Sequence, residues 1–522
     1  MKKTRGHILW VDDEIEHLKP HILFLEEKGY NLSKVNNGQD AIEIVKNNYF
    51  DLVLLDQSMP GMDGLEVLSQ LKKQRKTQLI IMITKTEDEW LMDEAITGQV
   101  EQLLFKPVNP NQIFMACKQA LEKKSLSEER ATREYLKEFQ ELNDQLRENL
   151  SSQNWWLLYD KLVEWQLKFD LYKDIGLETI LDEQIQTCNK EFSSYIERSY
   201  VEWLKDESRP RLSTDVFRDF VKPRLEKNEK VCLLVVDCMR YDHFKSLLPA
   251  LENIFTIDVD FKFSLLPTAT PYSRNSIFSG IFPDEMVKKY KEQAIDMQSD
   301  SSSLNKHEKL FLEDQLIKYD LENKKIHYHK IWAVQEGEKF KNRIKDFLQK
   351  DMLALVVNFV DILAHNSSQS GVLKEMVPDE AGYRSAVKSW FDNSWLLDVL
   401  KVLSENDWTV VLTSDHGSIR VKNDIMVAAD KGASSGVRYK HGRNLNSSTK
   451  NALVIKDPGE YKLPAFGHQP SYVIAKDENY FVYPNDVHKY QNKFKNSFQH
   501  GGISMEEMMV PIGIMKRKKN DI

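Results

Sequence analysis

Three carboxylates, three histidines and a threonine in the second half of the chain stand where they could hold two divalent cations around a nucleophile. Asp415-His416-Gly417 follows Trp408-Thr409-Val410-Val411-Leu412, a β-branched apolar run that reads as a buried strand. Asp237 ends a second apolar run, Val231 to Val236, and Asp361 ends a third, Leu353 to Val360, with His365 four residues on. His500-Gly501-Gly502 stands near the carboxyl end. Open α/β sheets bind ligands in the crevice at the carboxyl ends of their strands, so side chains at those ends would converge there. Carboxylate and imidazole suit zinc or manganese. Pro267-Thr268-Ala269-Thr270-Pro271 adds two hydroxyls in a turn-rich stretch. A threonine hydroxyl is scarcely ionised at neutral pH, and metal coordination makes an alkoxide available. Each piece has a plain alternative: a solvated Asx turn at Asp415, a helix cap at Asp237, a helix-surface histidine at His365 and a turn histidine at His500. It is their joint occurrence that argues for a site.

A second cluster lies in the first hundred residues. His7 to Val11 ends in Asp12-Asp13-Glu14, Leu52 to Leu55 in Asp56, Leu79 to Ile83 in Thr84, and Gln102 to Phe105 in Lys106-Pro107. Clustered acids repel one another unless a hard cation sits among them, and Mg²⁺ accepts carboxylates plus phosphate oxygens. That suits phosphoryl transfer to Asp56, with Thr84 hydrogen-bonding the new phosphate and Lys106 pairing with it. The alternative is a flavodoxin-like domain whose acids are solvated strand ends.

These side chains need α/β frames. Five short strands with intervening helices imply a doubly wound parallel sheet for residues 1–120. Residues 121–225 read as a helical spacer: Leu121 to Leu150 has no Gly or Pro and amphipathic spacing. The next segment carries Trp155, Trp156, Tyr159, Trp165, Phe169 and Tyr172, packing residues of a small bundle or, as the sharper alternative, a stacking platform for bases. Residues 226–522 carry the two-metal set on a further α/β domain. There Asp361 and His365 share one side of a helical turn, and Ser504 with Glu507 has capping-box spacing. Arg274 could contact phosphate or form a structural ion pair. The basic loop with Arg438 and Lys440 could grip a phosphodiester chain or be a solvated loop. Residues 284 to 350, charged and mostly helical, form an insertion that could cap the pocket, and His327 and His329 lie in a strand-like stretch and are not read as ligands.

At 522 residues three domains are expected, and the net charge of −8 excludes a general nucleic-acid-binding surface. No apolar run approaches the ~20 residues of a membrane span. The four cysteines lack paired metal spacing and read as buried thiols, so a cytoplasmic protein without membrane insertion is expected.

The first 120 residues resemble the receiver domain of two-component response regulators, down to Met59-Pro60-Gly61-Met62-Asp63-Gly64 after the acceptor. The resemblance implies that Asp13, Asp56 and the Ser58 carbonyl ligate Mg²⁺, that Asp12 acts through water, and that Lys106-Pro107 is cis. Leu103 stands where receivers usually place an aromatic switch, and Lys85 where a small residue usually follows the threonine. Residues of about 230 to 515 resemble the alkaline-phosphatase superfamily in its PglZ branch. Carried over by position, Asp237, Thr270, Asp415 and His416 would hold one zinc, and Asp361, His365 and His500 the other. Thr270 is preferred to Thr268 because related phosphodiesterases use the second threonine of Pro-Thr-x-Thr as nucleophile. Ligands for a third metal are not evident, which tilts the reading toward diesters.

The whole order resembles the PorX-type response regulators of type IX secretion. That implies a sensor histidine kinase, a homodimer on phosphorylation, and zinc-dependent hydrolysis of nucleotide or oligonucleotide phosphodiesters. It also implies contacts with a sigma factor and a secretion-motor protein. The rival reading is an output domain that only recruits partners, with zinc holding the fold. A DNA-binding regulator fits poorly, for the carboxyl-terminal part lacks a helix-turn-helix pattern.

Overall fold

The computed structural model describes residues 5–518 apart from 76, 86–87, 89, 91–92, 94, 96, 172–175, 207, 292, 294–305, 368–374, 376, 430–433, 435, 444, 448 and 468. Two compact units divide the chain: Met1–Glu141 with Lys168–Leu177, and Leu142–Leu167 with Glu178–Ile522.

In the first unit β1 (Gly6–Val11), β2 (Tyr30–Val35), β3 (Leu52–Asp56), β4 (Leu79–Thr84) and β5 (Gln102–Phe105) form one sheet in the order β2-β1-β3-β4-β5. Every pair is parallel. β3, Leu-Val-Leu-Leu-Asp, is buried along its whole length because helices cover both faces, which leaves polar groups only at strand ends. The long helix expected over 121–150 instead spans Pro110–Gln145. Asn109 accepts the Gln112 amide at its start, and no Gly or Pro separates the last receiver helix from the amphipathic stretch that follows.

The second unit is built on a six-stranded mixed sheet. Its order is β7 (Phe255–Phe263), the last strand Met509–Arg517, β10 (Thr409–Thr413), β6 (Val231–Val236), β9 (Met352–Val357) and β8 (Ile326–Ile331). The four strands β10, β6, β9 and β8 are parallel, and the last strand runs antiparallel to β10 and to β7. The segment 284–350 is therefore more than an insertion, since it supplies the edge strand β8. His327 and His329 lie on that strand, as expected, stacked with Phe340.

Two further helices, Ser152–Leu171 and Glu178–Trp203, carry the aromatics of the spacer. Trp155, Trp156, Tyr159, Trp165 and Phe169 are all buried, which settles them as packing residues; Tyr172 lies outside the described residues. Within the second unit Trp156 stacks flat on Phe261 at 4.6 Å, and Phe192 stacks on Phe263 at 6.3 Å, so these helices cover the β7 edge of the sheet. Asn189 also donates to the buried Glu506 carboxylate, and Ser193 to Asp477.

Truncating a well-packed aromatic leaves a cavity as well as losing buried area. Trp156→Ala should destabilise the second unit by about 3–5 kcal/mol, read as a lower urea midpoint with helix content retained. An unchanged midpoint would show that this contact does not hold the helices to the sheet.

Candidate functional site

Adjacency of β10, β6 and β9 decides the geometry. Thr413 pairs with Val235, and Val236 with Val357, so the residues just beyond those strands emerge side by side. Asp237, Asp415 and His416 come together there, with ligand atoms all within 4.8 Å of one another; Asp361, His365 and His500 form a second such group. The strand expected to reach Val360 stops at Val357, and Asp361 and His365 lie one turn apart on the helix Phe359–Ser367. The two groups adjoin: the His416 and His500 rings stack with centroids 4.3 Å apart. His365 Nε2 stands 3.2 Å from Asp361 Oδ1 and 3.1 Å from His500 Nε2.

The chemistry of the donors fits divalent zinc. His416 turns Nδ1 to the Gly417 carbonyl (3.0 Å), and His500 turns Nδ1 to that of Thr268 (3.3 Å), which leaves Nε2 of each facing the acids. Asp415 Oδ2 is buried without a hydrogen-bond partner. Burial pushes the Asp237 carboxyl up, Arg274 opposing and Asp415 and Asp361 adding to the rise. Burial, with His416 and His365 beside it, holds the His500 imidazole well below its usual range, neutral and ready to bind a cation. Asp361, for all its burial, and His365 shift the other way because they pair with each other, the carboxyl lowered and the imidazole raised.

Thr270 opens the helix Thr270–Ser279, its hydroxyl 3.1 Å from His416 Nε2 and 3.5 Å from Asp237 Oδ1. Thr268 is used differently. It donates to the Gly502 carbonyl (2.7 Å) and accepts from the Gly501 amide (3.1 Å), so it clamps the loop that presents His500. A Cβ at Gly502 would lie 2.1 Å from Arg438 Nη2, which is why that loop needs glycine.

In the first unit Asp12, Asp13 and Asp56 form a third group with ligand atoms within 4.8 Å. Lys106 Nζ stands 3.0 Å from both Asp12 and Asp56, and Thr84, ending β4, is buried. Burial raises the Asp56 carboxyl against the pull of Lys106, and its Oδ1 has no hydrogen-bond partner. An all-oxygen group with one lysine against three acids fits Mg²⁺. Ser58 is exposed in the loop after β3, a Cβ at Gly64 would lie 2.5 Å from the Asp56 carbonyl oxygen, and Lys106-Pro107 is cis. Lys85 reaches Glu14 at 3.8 Å.

Comparison with known families covers most of the chain. The response regulator receiver domain matches residues 8–118, the PorX response regulator linker domain 125–204, and the BREX system PglZ alkaline phosphatase-like domain 216–515. The chain belongs to the PglZ alkaline phosphatase-like family, in its PorX-type response-regulator form. The transcriptional regulatory protein SrrA of Staphylococcus aureus is 30% identical over 116 residues, 22% of this chain and 48% of SrrA. The chain thus spans about half the length of the curated relatives it matches. A CheY-like receiver domain protein from Methanospirillum hungatei JF-1 is 26% identical, covering 23% of this chain and 97% of its own, with a TM-score of 0.23. A receiver domain protein from Clostridium thermocellum is also 26% identical, covering 23% and 98%, with a TM-score of 0.22. The matched families make the PglZ-type chain a response regulator with a receiver domain and an alkaline phosphatase-like output domain. Among the described residues no helix is long and apolar enough to cross a membrane.

For the three residues read as possible substrate contacts, the structure shows the structural alternatives. Arg438 is fully buried, paired with Glu507 at 2.6 Å and donating to the Asn479 carbonyl. Lys440 is buried too, donating to the carbonyls of Ser434 (3.2 Å) and Gly436 (2.9 Å). Lys440 lies on Tyr439–Arg443, a strand buried over its first three residues and paired with Pro470–Ala475, and Arg438 stands one residue before it, its carbonyl accepting the Ala475 amide, so this part of the basic loop is interior structure. Arg274, as buried as Asp237 and Asp415 themselves, pairs with Asp237 and stands 3.8 Å from Asp415, which is the ion pair its spacing allowed. Sequence reasoning missed Glu308 and Asn358, the other partners of Arg274. A single Glu in a charged segment carries no signal of that role.

Removing one partner of a fully buried ion pair strands the other charge away from water. Arg438→Met should lower the stability of the second unit by about 3–5 kcal/mol, measured by thermal denaturation, without a specific rise in KM for any diester. A loss of substrate affinity at unchanged stability would restore the basic loop as a binding element.

Proposed function

We propose that this PglZ-type response regulator is a zinc-dependent phosphodiesterase acting on nucleotide or oligonucleotide diesters, in control of type IX secretion. The observation that carries the reading is the place of Thr270: one hydroxyl at a helix start, 3.1 Å from His416 and 3.5 Å from Asp237, where the two ligand groups adjoin. Zinc, when bound, would supply the positive charge that lowers the hydroxyl's pKa and offsets charge on the attacking and leaving oxygens. Asp237, Asp415 and His416 would hold one ion with Thr270, and Asp361, His365 and His500 the other.

Thr270 Oγ1 attacks phosphorus as the ester bond to the leaving alcohol breaks, and water then cleaves the Thr270 ester to restore the hydroxyl. The helix Thr270–Ser279 sets the positive end of its dipole at Thr270, while Pro271 carries no N–H and the Tyr272 and Ser273 amides donate to the Ala269 carbonyl. Exchanging Thr270 for Ala should lower hydrolysis of an aryl phosphodiester by a factor on the order of 10³ or more, with folding and bound zinc nearly retained. Undiminished turnover in that variant would remove Thr270 from the role.

In the receiver, Asp56 would accept the phosphoryl group, with Asp13, Asp56 and the Ser58 carbonyl, and Asp12 through water, as the groups that would hold Mg²⁺, and Thr84 and Lys106 as those that would engage the phosphate. The reading includes a sensor histidine kinase as donor, a homodimer formed on phosphorylation, and a sigma factor and a secretion-motor protein as further partners. Such control requires that the phosphate favour one state of the chain over another. Treatment with beryllofluoride and Mg²⁺ should convert monomer to dimer in light scattering for the wild type and leave Asp56→Asn monomeric. A dimer equally formed by Asp56→Asn would separate association from the acceptor.

A further inference from the structure

We infer that Glu308 is a positioning residue of the first metal site: it clamps the Arg274 guanidinium so that Asp237 presents one oxygen, Oδ1, to the cation. The inference rests on the metal-site reading above and extends it to a residue outside every motif. Arg274 donates through Nη1 to Asp237 Oδ2 (2.5 Å) and to Asn358 Oδ1 (3.3 Å), and through Nε to Glu308 Oε1 (2.6 Å). Asp237 Oδ2 is thereby occupied, while Oδ1 faces Thr270 at 3.5 Å and His416 at 3.9 Å.

Glu308 is fully buried at the start of the helix Glu308–Lys318, and its second oxygen accepts the Tyr328 hydroxyl from β8 and lies 3.8 Å from Lys330 Nζ. The edge strand thus fixes Glu308, Glu308 fixes Arg274, and Arg274 fixes Asp237. Two effects follow from elementary electrostatics. A guanidinium shared between Asp237 and Glu308, with Asp415 a further 3.8 Å contact, withdraws less electron density from Asp237 than one paired with it alone, so Asp237 remains a strong donor. A planar fork with five N–H donors can serve two carboxylates at defined angles, which a lysine point charge cannot do. Groups that orient a metal-binding carboxylate in this way are worth roughly 10- to 100-fold in metal affinity or activity.

The test uses the full chain, stripped of metal and titrated with Zn²⁺ alone against a chromophoric chelator, alongside kcat and KM for an aryl phosphodiester. Glu308→Gln should weaken one of the two zinc sites by about 10- to 100-fold, leave the other unchanged, and lower kcat with KM held within about twofold. Arg274→Lys, which keeps the charge and loses the fork, should do the same. Wild-type zinc affinity in both variants would overturn the clamp, even where diester hydrolysis by the unmodified chain is intact. Loosened zinc in Glu308→Gln, in a chain that cleaves no diester at all, would uphold the clamp and defeat the phosphodiesterase reading. Should circular dichroism show Glu308→Gln unfolded, Tyr328→Phe removes only the hydroxyl. A smaller weakening of the same site supports the clamp, and unchanged affinity refutes it.

Discussion

Carboxylates crowded at the ends of neighbouring parallel strands are the constraint on which both halves of this protein depend. β10, β6 and β9 lie side by side in register, and each delivers an acid at or just beyond its carboxyl end. Their faces are apolar, so the acids cannot disperse into solvent; they share one place, lose hydration and repel one another. A cation with neutral imidazoles around it resolves that conflict, and the backbone is arranged accordingly. Carbonyls of Gly417 and Thr268 turn the histidines, Thr268 pins the glycine loop, and Arg274 occupies the inner oxygen of Asp237.

The receiver meets the same difficulty on a smaller sheet. Asp12, Asp13 and Asp56 converge from β1 and β3, with Lys106 from the end of β5 as the resident cation. Acids held this close leave Asp56 with one buried oxygen that has no hydrogen-bond partner. The two sites are therefore one physical solution used twice, in sheets of different topology.

Arginines placed by the fold do a different job from the one their exposure in the sequence suggests. Glu507, on the single helical turn Met505–Met508, accepts from the Gly502 amide of the His500 loop and pairs with Arg438, and Arg240 ties Asp242 to Glu380. A buried ion pair adds little net stability compared with an apolar packing, yet breaking it leaves an unpaired charge. Such pairs therefore specify one arrangement of loops around the ligand groups.

Strand ends, periodicity and motif order were legible in the linear chain, because a buried parallel strand must be apolar throughout and polar where it stops. Those features determined the doubly wound receiver, the acids and histidines that meet in three groups, and the family order of receiver, linker and PglZ domain. Tertiary structure alone decided which charged residues face inward. Whether Arg438 and Lys440 reach solvent depends on which strands pair across Tyr439–Arg443, and that is a long-range matter. It decided too that Thr268 clamps the His500 loop, and that Glu308, from a charged segment with no signature, lies buried beside Arg274. Local spacing records the period of an element; the partner of a buried charge is set by whichever distant element packs against it.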